Sequence, residues 1–394
     1  MLGIVLLFAC RGTPPSAQSV DERQLAHLVD SLMPAVSRAA GRPFTSTPRS
    51  AVRSRDQIRA YLVAKVAREL PPERLEGITD TYRLFGMIPD SIDLRRLFVD
   101  LYTEQVAGFY DPDSTTLFAV AGADPAQLRL VLAHEMVHAL QHQYLALDSI
   151  LQDASDGDRQ AAAQAILEGQ ATIASLVALV PGMDLLNNDG FWTSFREQLR
   201  VQQAGTSVFA RAPMAVRETL VFPYVDGAEF MRWFDKAHPG DEPYGAEMPS
   251  STEQILHTDR YAARDQPITV RFRGDTAGLI FEDTFGEFDT DLLLATLRHA
   301  DEVKTDSALG WGGDRFRVYR TADGPALIWI SVWDTPSAAA GFEAAMSPLV
   351  RAPRAGYRSR IEPIALGTGA AARLVIAPDA WPGWKVLPTA RIER

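Results

Sequence analysis

Residues 124–147, DPAQLRLVLAHEMVHALQHQYLAL, decide how the rest of the chain is understood. Asp124 is a helix-capping residue type, and Pro125 suits the first helical position, where a missing N–H costs nothing. Leu128, Val131, Leu132, Val137 and Leu140 recur at helical spacing, which predicts one helix from Pro125 to about Leu147. Within it His134 and His138 stand four residues apart. That separation puts two imidazoles on one face, about 40° apart around the axis, within reach of one cation. Glu135 sits at the edge of the same face, where a carboxylate can meet a water without becoming a ligand. With 7 His in 394 residues, chance supplies roughly 0.006 matches to this HExxH pattern. The one cysteine, Cys10, excludes Cys-rich sites, so a metal here has to be held by His and carboxylate.

On the N-terminal side, residues 104–121 predict a β-hairpin around the turn Asp111-Pro112-Asp113-Ser114. On the C-terminal side, a loop rich in Asp, Ser and Gly leads to a second long helix, from about Asp158 to Val180, closed by Pro181-Gly182. Glu168 is an isolated carboxylate in this mostly apolar helix, and burying it unpaired would be costly. Gln164, Ala171, Thr172 and Ser175 form a strip of small or polar residues beside it, as a face turned toward a site would. Two His ligands need a third protein ligand with one position left for water, and Glu168 is the best candidate. His142 has turned a further 40° from His138 and reads as a supporting group. A His at position 144 would extend the series in another way, but that residue is Tyr144.

HEMVH on one helix, followed about thirty residues later by Glu168-Gly169-Gln170-Ala171, resembles the gluzincin branch of the zincin metallopeptidases. The resemblance covers residues 104–180 and weakens toward 262. It implies Zn2+ held by His134, His138 and Glu168, with Glu135 as catalytic base. It also implies a peptide or protein substrate aligned along the hairpin 104–121, as the edge of an active-site sheet. Position 172, where many members of that branch carry Asp, is Thr here. Such enzymes also use a Tyr or His further along to hold the developing oxyanion. His257, ending a short helix capped by Ser251-Thr252, is the first candidate, then Tyr224, beside an expected turn at Asp226-Gly227, with Tyr261 next.

The remaining text fits an α+β protein. Residues 21–100 predict helices, and residues 101–275 hold the zincin-like core, an active-site helix plus an edge hairpin. From 276 to 394 a C-terminal α+β unit is expected: a helix near 285–303, strands RFRVYR and ALIWISVW, a helix near 336–350 and the strand ARLVIA. Gly310-Trp311-Gly312-Gly313 reads as a turn between elements, lacking the Lys that a phosphate cradle needs. Residues 1–20 resemble a signal peptide, with Leu7-Phe8-Ala9-Cys10 as a bacterial lipobox and a Pro-rich tether behind it. An exported protein is expected, anchored in the cell envelope through lipid on Cys10, or otherwise secreted. The net charge of −11 argues against nucleic acid as a partner. Two other functions fit the same text: an envelope binding or assembly protein with little turnover, and a metallohydrolase of a non-protein amide.

Overall fold

The computed structural model describes residues 20–147, 150, 156–203, 208–274, 276–305, 307–367 and 369–393; the expected signal, Cys10 and tether fall outside them. Helix α1 (Glu22–Ala39) opens with a reciprocal cap. Asp21 accepts from the Gln24 N–H at 2.8 Å and Gln24 Oε1 accepts from the Asp21 N–H at 2.9 Å. Its buried stripe, Leu25, Val29, Leu32 and Val36, faces the core. Helix α2 (Arg55–Glu69) starts in the same way, from Ser54 and Gln57, and α3 (Pro72–Leu84) and α4 (Leu94–Gln105) complete the N-terminal set.

One strand interrupts this region, which the sequence predicts as helical. Strand β1 (Arg49–Arg53) pairs in parallel with β3 (Thr116–Val120), which pairs with β2 (Gly108–Asp111) in the expected hairpin. Five residues whose partners lie 67 positions away leave no local pattern to detect. The sheet order is β1-β3-β2, so β2 is an edge.

Helix α5 (Pro125–Tyr144) is capped by Asp124, which accepts from the Ala126 and Gln127 N–H groups at 3.0 Å. Helix α6 (Gly157–Leu179) is long and apolar enough to span a bilayer, yet 72% of its most apolar window is buried inside the protein. It is a core helix, apolar all round because α1, α5 and a later helix surround it. Helix α7 (Asp189–Gln203) and a helical turn at Val208–Arg211 lead to that later helix, α8 (Met214–Ala237). The turn expected at Asp226-Gly227 does not exist: α8 runs straight through it, with Pro223 in its interior. Two short helices, α9 (Thr252–Leu256) and α10 (Thr258–Ala262), follow.

The C-terminal part is a five-stranded antiparallel sheet of order β5-β6-β7-β9-β8, built from β5 (Leu279–Asp283), β6 (Trp311–Thr321), β7 (Gly324–Trp333), β8 (Tyr357–Leu366) and β9 (Gly369–Pro378). Side chains alternate across it as strand geometry requires. Phe316, Val318, Leu327, Trp329 and Leu374 face one core, which they share with α11 (Gly286–Leu297) and α12 (Pro336–Ala345). Tyr319, Ile328, Ile330 and Val375 face a second core under β4 (Thr269–Arg273) and β10 (Thr389–Glu393), which pair with each other. The helix expected over 336–350 is broken after Ala345, a short α13 (Ser347–Arg351) following it. Trp311-Gly312-Gly313 belongs to β6, with a bulge in its pairing to β7, and is not a turn. The boundary expected at 275/276 separates β4 from β10 and cuts a core that also takes in Phe222 and Phe230 of α8. The architecture is α+β.

Candidate metal centre

Helices α5 and α6 pack side by side and bring three side chains to one point. His134 Nε2 lies 3.0 Å from Glu168 Oε2, His138 Nε2 lies 3.2 Å from the same oxygen, and the two Nε2 atoms are 3.1 Å apart. Ligands about 2.0–2.1 Å from a tetrahedral centre stand roughly 3.3–3.4 Å from one another, so the triangle is close to the size a small cation needs. His134 and Glu168 are buried, and the His138 side chain keeps 13% of its surface exposed. Among the described residues these three form a group that can hold a metal ion.

Charges sort themselves around the triangle. Burial pushes His134 down toward the neutral form. Burial also opposes charge on His138 and Glu168, but their mutual attraction prevails, holding His138 up and Glu168 down. Glu135, fully buried, is pushed up to about 8 by loss of water. Its Oε2 accepts the Tyr110 N–H from β2 at 2.7 Å, whereas its Oε1 is buried without a hydrogen-bond partner. A bare carboxylate oxygen one residue from a ligand is the kind of orphan that a bound ion and its water would satisfy. The donor set fits a borderline cation such as zinc: two imidazoles, one carboxylate, no thiol.

Two glycines make this geometry possible by the space they leave. A Cβ on Gly108 would lie 2.7 Å from the Phe118 carbonyl oxygen of β3 and 3.2 Å from the Val131 side chain, so glycine lets β2 pair tightly with β3 while lying against α5. A Cβ on Gly169 would lie 2.3 Å from the Gly227 carbonyl, where α6 and α8 cross. That close crossing brings Tyr224, one turn before Gly227, to the site: its ring centroid is 5.9 Å from that of His134.

His257 is elsewhere engaged. Its Nε2 pairs with the buried Glu287 at 3.2 Å, which raises its affinity for a proton. Tyr261 donates its hydroxyl to the Glu247 carbonyl oxygen. His142 Nδ1 meets the Tyr110 hydroxyl at 2.9 Å and so ties α5 to β2. Gln141 is the residue that sequence reasoning missed. It accepts from His138 through Oε1 at 2.8 Å, and its Nε2 donates to the Leu167 carbonyl and to Gln170 Oε1, both at 2.9 Å. Tyr244 donates its hydroxyl to the same Gln170 oxygen. The sequence offers only a polar residue three positions after the second His, which does not reveal its partners on α6. Gln141 and Gln170 also line a small, partly open pocket with Val137, Tyr144, Arg42 and Glu242.

Residues 275–374 match the family model of a domain of unknown function (DUF8575). That span runs from just before β5 into β9 and holds none of the residues of the metal centre. No curated protein and no solved structure matches the chain.

Proposed function

We propose that the protein is a zinc-dependent hydrolase of peptide bonds with a zincin-like core. The observation that carries the reading is the placement of Glu135. One oxygen is fixed by the Tyr110 N–H of an edge strand and the other is bare, next to a converged His-His-Glu triangle. A structural metal site has no use for an unpaired buried carboxylate, whereas water-activating chemistry needs a base there. His134, His138 and Glu168 would hold the zinc, which would supply an acidified water and polarise the scissile carbonyl. Glu135 Oε1 takes the proton of the attacking water and delivers it to the leaving amine. The Tyr110 N–H keeps that carboxylate in one rotamer while it does so. Tyr224, beside His134, is better placed than His257 to donate to the oxyanion.

Peptide hydrolysis by the full chain, with zinc content measured alongside, tests this. Glu135→Gln keeps the zinc and lowers turnover by about 10²–10⁴, the usual range for loss of a general base. Tyr224→Phe lowers kcat by about 10²–10³ with KM little changed, and His257→Ala leaves kcat near normal. Zinc lost from Glu135→Gln would make Glu135 a ligand and the assignment wrong. Zinc-loaded wild type with no turnover on any peptide would favour a binding role.

A further inference from the structure

We infer that Gln141 is the positioning residue of the metal centre, selecting the ring tautomer of His138 and fixing the spacing of the two ligand-bearing helices. The inference rests on the reading of His134, His138 and Glu168 as ligands. A histidine binds a metal well when its other ring nitrogen donates to a fixed acceptor. His134 has none: its Nδ1 is buried without a partner, and the buried Thr172 hydroxyl also lacks one. His138 has one, the Gln141 side-chain oxygen, at 2.8 Å.

The direction of that contact is decided by chemistry on the far side of the amide. Gln141 Nε2 lies 2.9 Å from the Leu167 carbonyl oxygen, and a carbonyl only accepts. The nitrogen of Gln141 must therefore face Leu167, and its oxygen must face His138. His138 Nδ1 is then a donor, and Nε2 faces the triangle, where its lone pair becomes available to a metal once the Nε2 proton has left. Leu167 precedes Glu168, so the same amide links the second ligand on α5 to the backbone beside the third on α6. Gln170 Oε1, which also accepts from Tyr244, takes the second N–H of Gln141, so the amide cannot rotate freely. With 4% of its surface exposed, Gln141 has little access to water that could replace these partners.

The experiment compares the full chain as wild type, Gln141→Leu, Tyr244→Phe and Gln143→Leu. Zinc affinity is measured against a competing chelator, and the His138 ring is followed by nitrogen-15 NMR. Gln143 is on the same helix, but its bonds are to Thr45 and Ser46, away from the centre. The expected result is a 10- to 100-fold loss of zinc affinity in Gln141→Leu. Tyr244→Phe shows a smaller loss in the same direction, and Gln143→Leu none. The protected Nδ1–H of His138 is present in wild type and lost in Gln141→Leu. Unchanged zinc affinity in Gln141→Leu, with wild type binding normally, overturns this inference and leaves the metal centre standing. A His138 whose Nδ1 carries no proton in the zinc-loaded wild type overturns it even if Gln141→Leu fails to fold. A wild-type chain that takes up no zinc overturns the metal centre and this assignment together.

Discussion

At His138 two opposing effects meet, and under the proposed zinc reading their balance makes metal uptake sensitive to pH. Burial favours the neutral ring, but the Glu168 carboxylate beside it holds the proton on to about pH 9. His134, desolvated, is already neutral. Zinc arriving at pH 7 must therefore expel the His138 proton, and its positive charge draws off that of Glu135 as well. Calorimetry in two buffers of different ionisation enthalpy should show about one to two protons released per zinc; no release would mean that His138 is neutral beforehand. The sign for the metal-free fold follows by linkage. His138 is raised from an ordinary value of about 6.5, so its contribution is present below that pH and is lost as pH rises through about 9. Glu135, raised from about 4.5 to about 8, acts in the same direction over that lower window. Metal-free protein is thus less stable at pH 9 than at pH 6, and zinc offsets the loss. Of these residues, His134, Glu135, His138 and Glu168 were legible in the sequence, because spacing and residue type carry the information. Gln141 and the Tyr110 N–H were not, since their roles depend on which carbonyl or strand packs opposite.

Among the elements, the crossing of α6 on α8 matters most to the site. The Gly of Glu168-Gly169-Gln170-Ala171 is there for contact between backbones. In isolation Gly169→Ala should favour a helix by about 1 kcal/mol. Here the added methyl group would lie 2.3 Å from the Gly227 carbonyl, and overpacking costs typically about 1–3 kcal/mol. Gly169→Ala is therefore expected to lower the thermal midpoint and to weaken turnover by moving Tyr224. A raised midpoint would mean that the helices do not cross this closely. The same crossing explains the misread turn. Asp-Gly after Pro is a strong local turn signal, but Gly227 is a notch for α6, which only the partner helix makes apparent. The caps of α5 and the hairpin before it were legible because turn and cap chemistry is local. Strand β1 was not, because its pairing is parallel and distant.

Across the whole molecule, α6 is fastened to the C-terminal sheet at its N-terminal end, about 15 Å along the axis from Glu168. The Gly157 N–H donates to Asp283 at 2.6 Å, and Asp158 accepts from the Thr252 N–H at 3.0 Å. Asp314 of β6 accepts the Phe285 and Gly286 N–H groups and the indoles of Trp311 and Trp329. Three carboxylates thus accept from the N–H groups at three helix starts. The helix that carries the third ligand is in this way set by the sheet as well as by α5. The proposed function rests on one claim: that His134, His138 and Glu168, which converge in the structure, together hold zinc. Zinc content of the purified full chain, wild type beside Glu168→Ala, tests it most directly. One zinc per chain in wild type, and little or none in Glu168→Ala after dialysis against a weak chelator, is the predicted result. A wild type without zinc, or a Glu168→Ala variant that retains it fully, would contradict it.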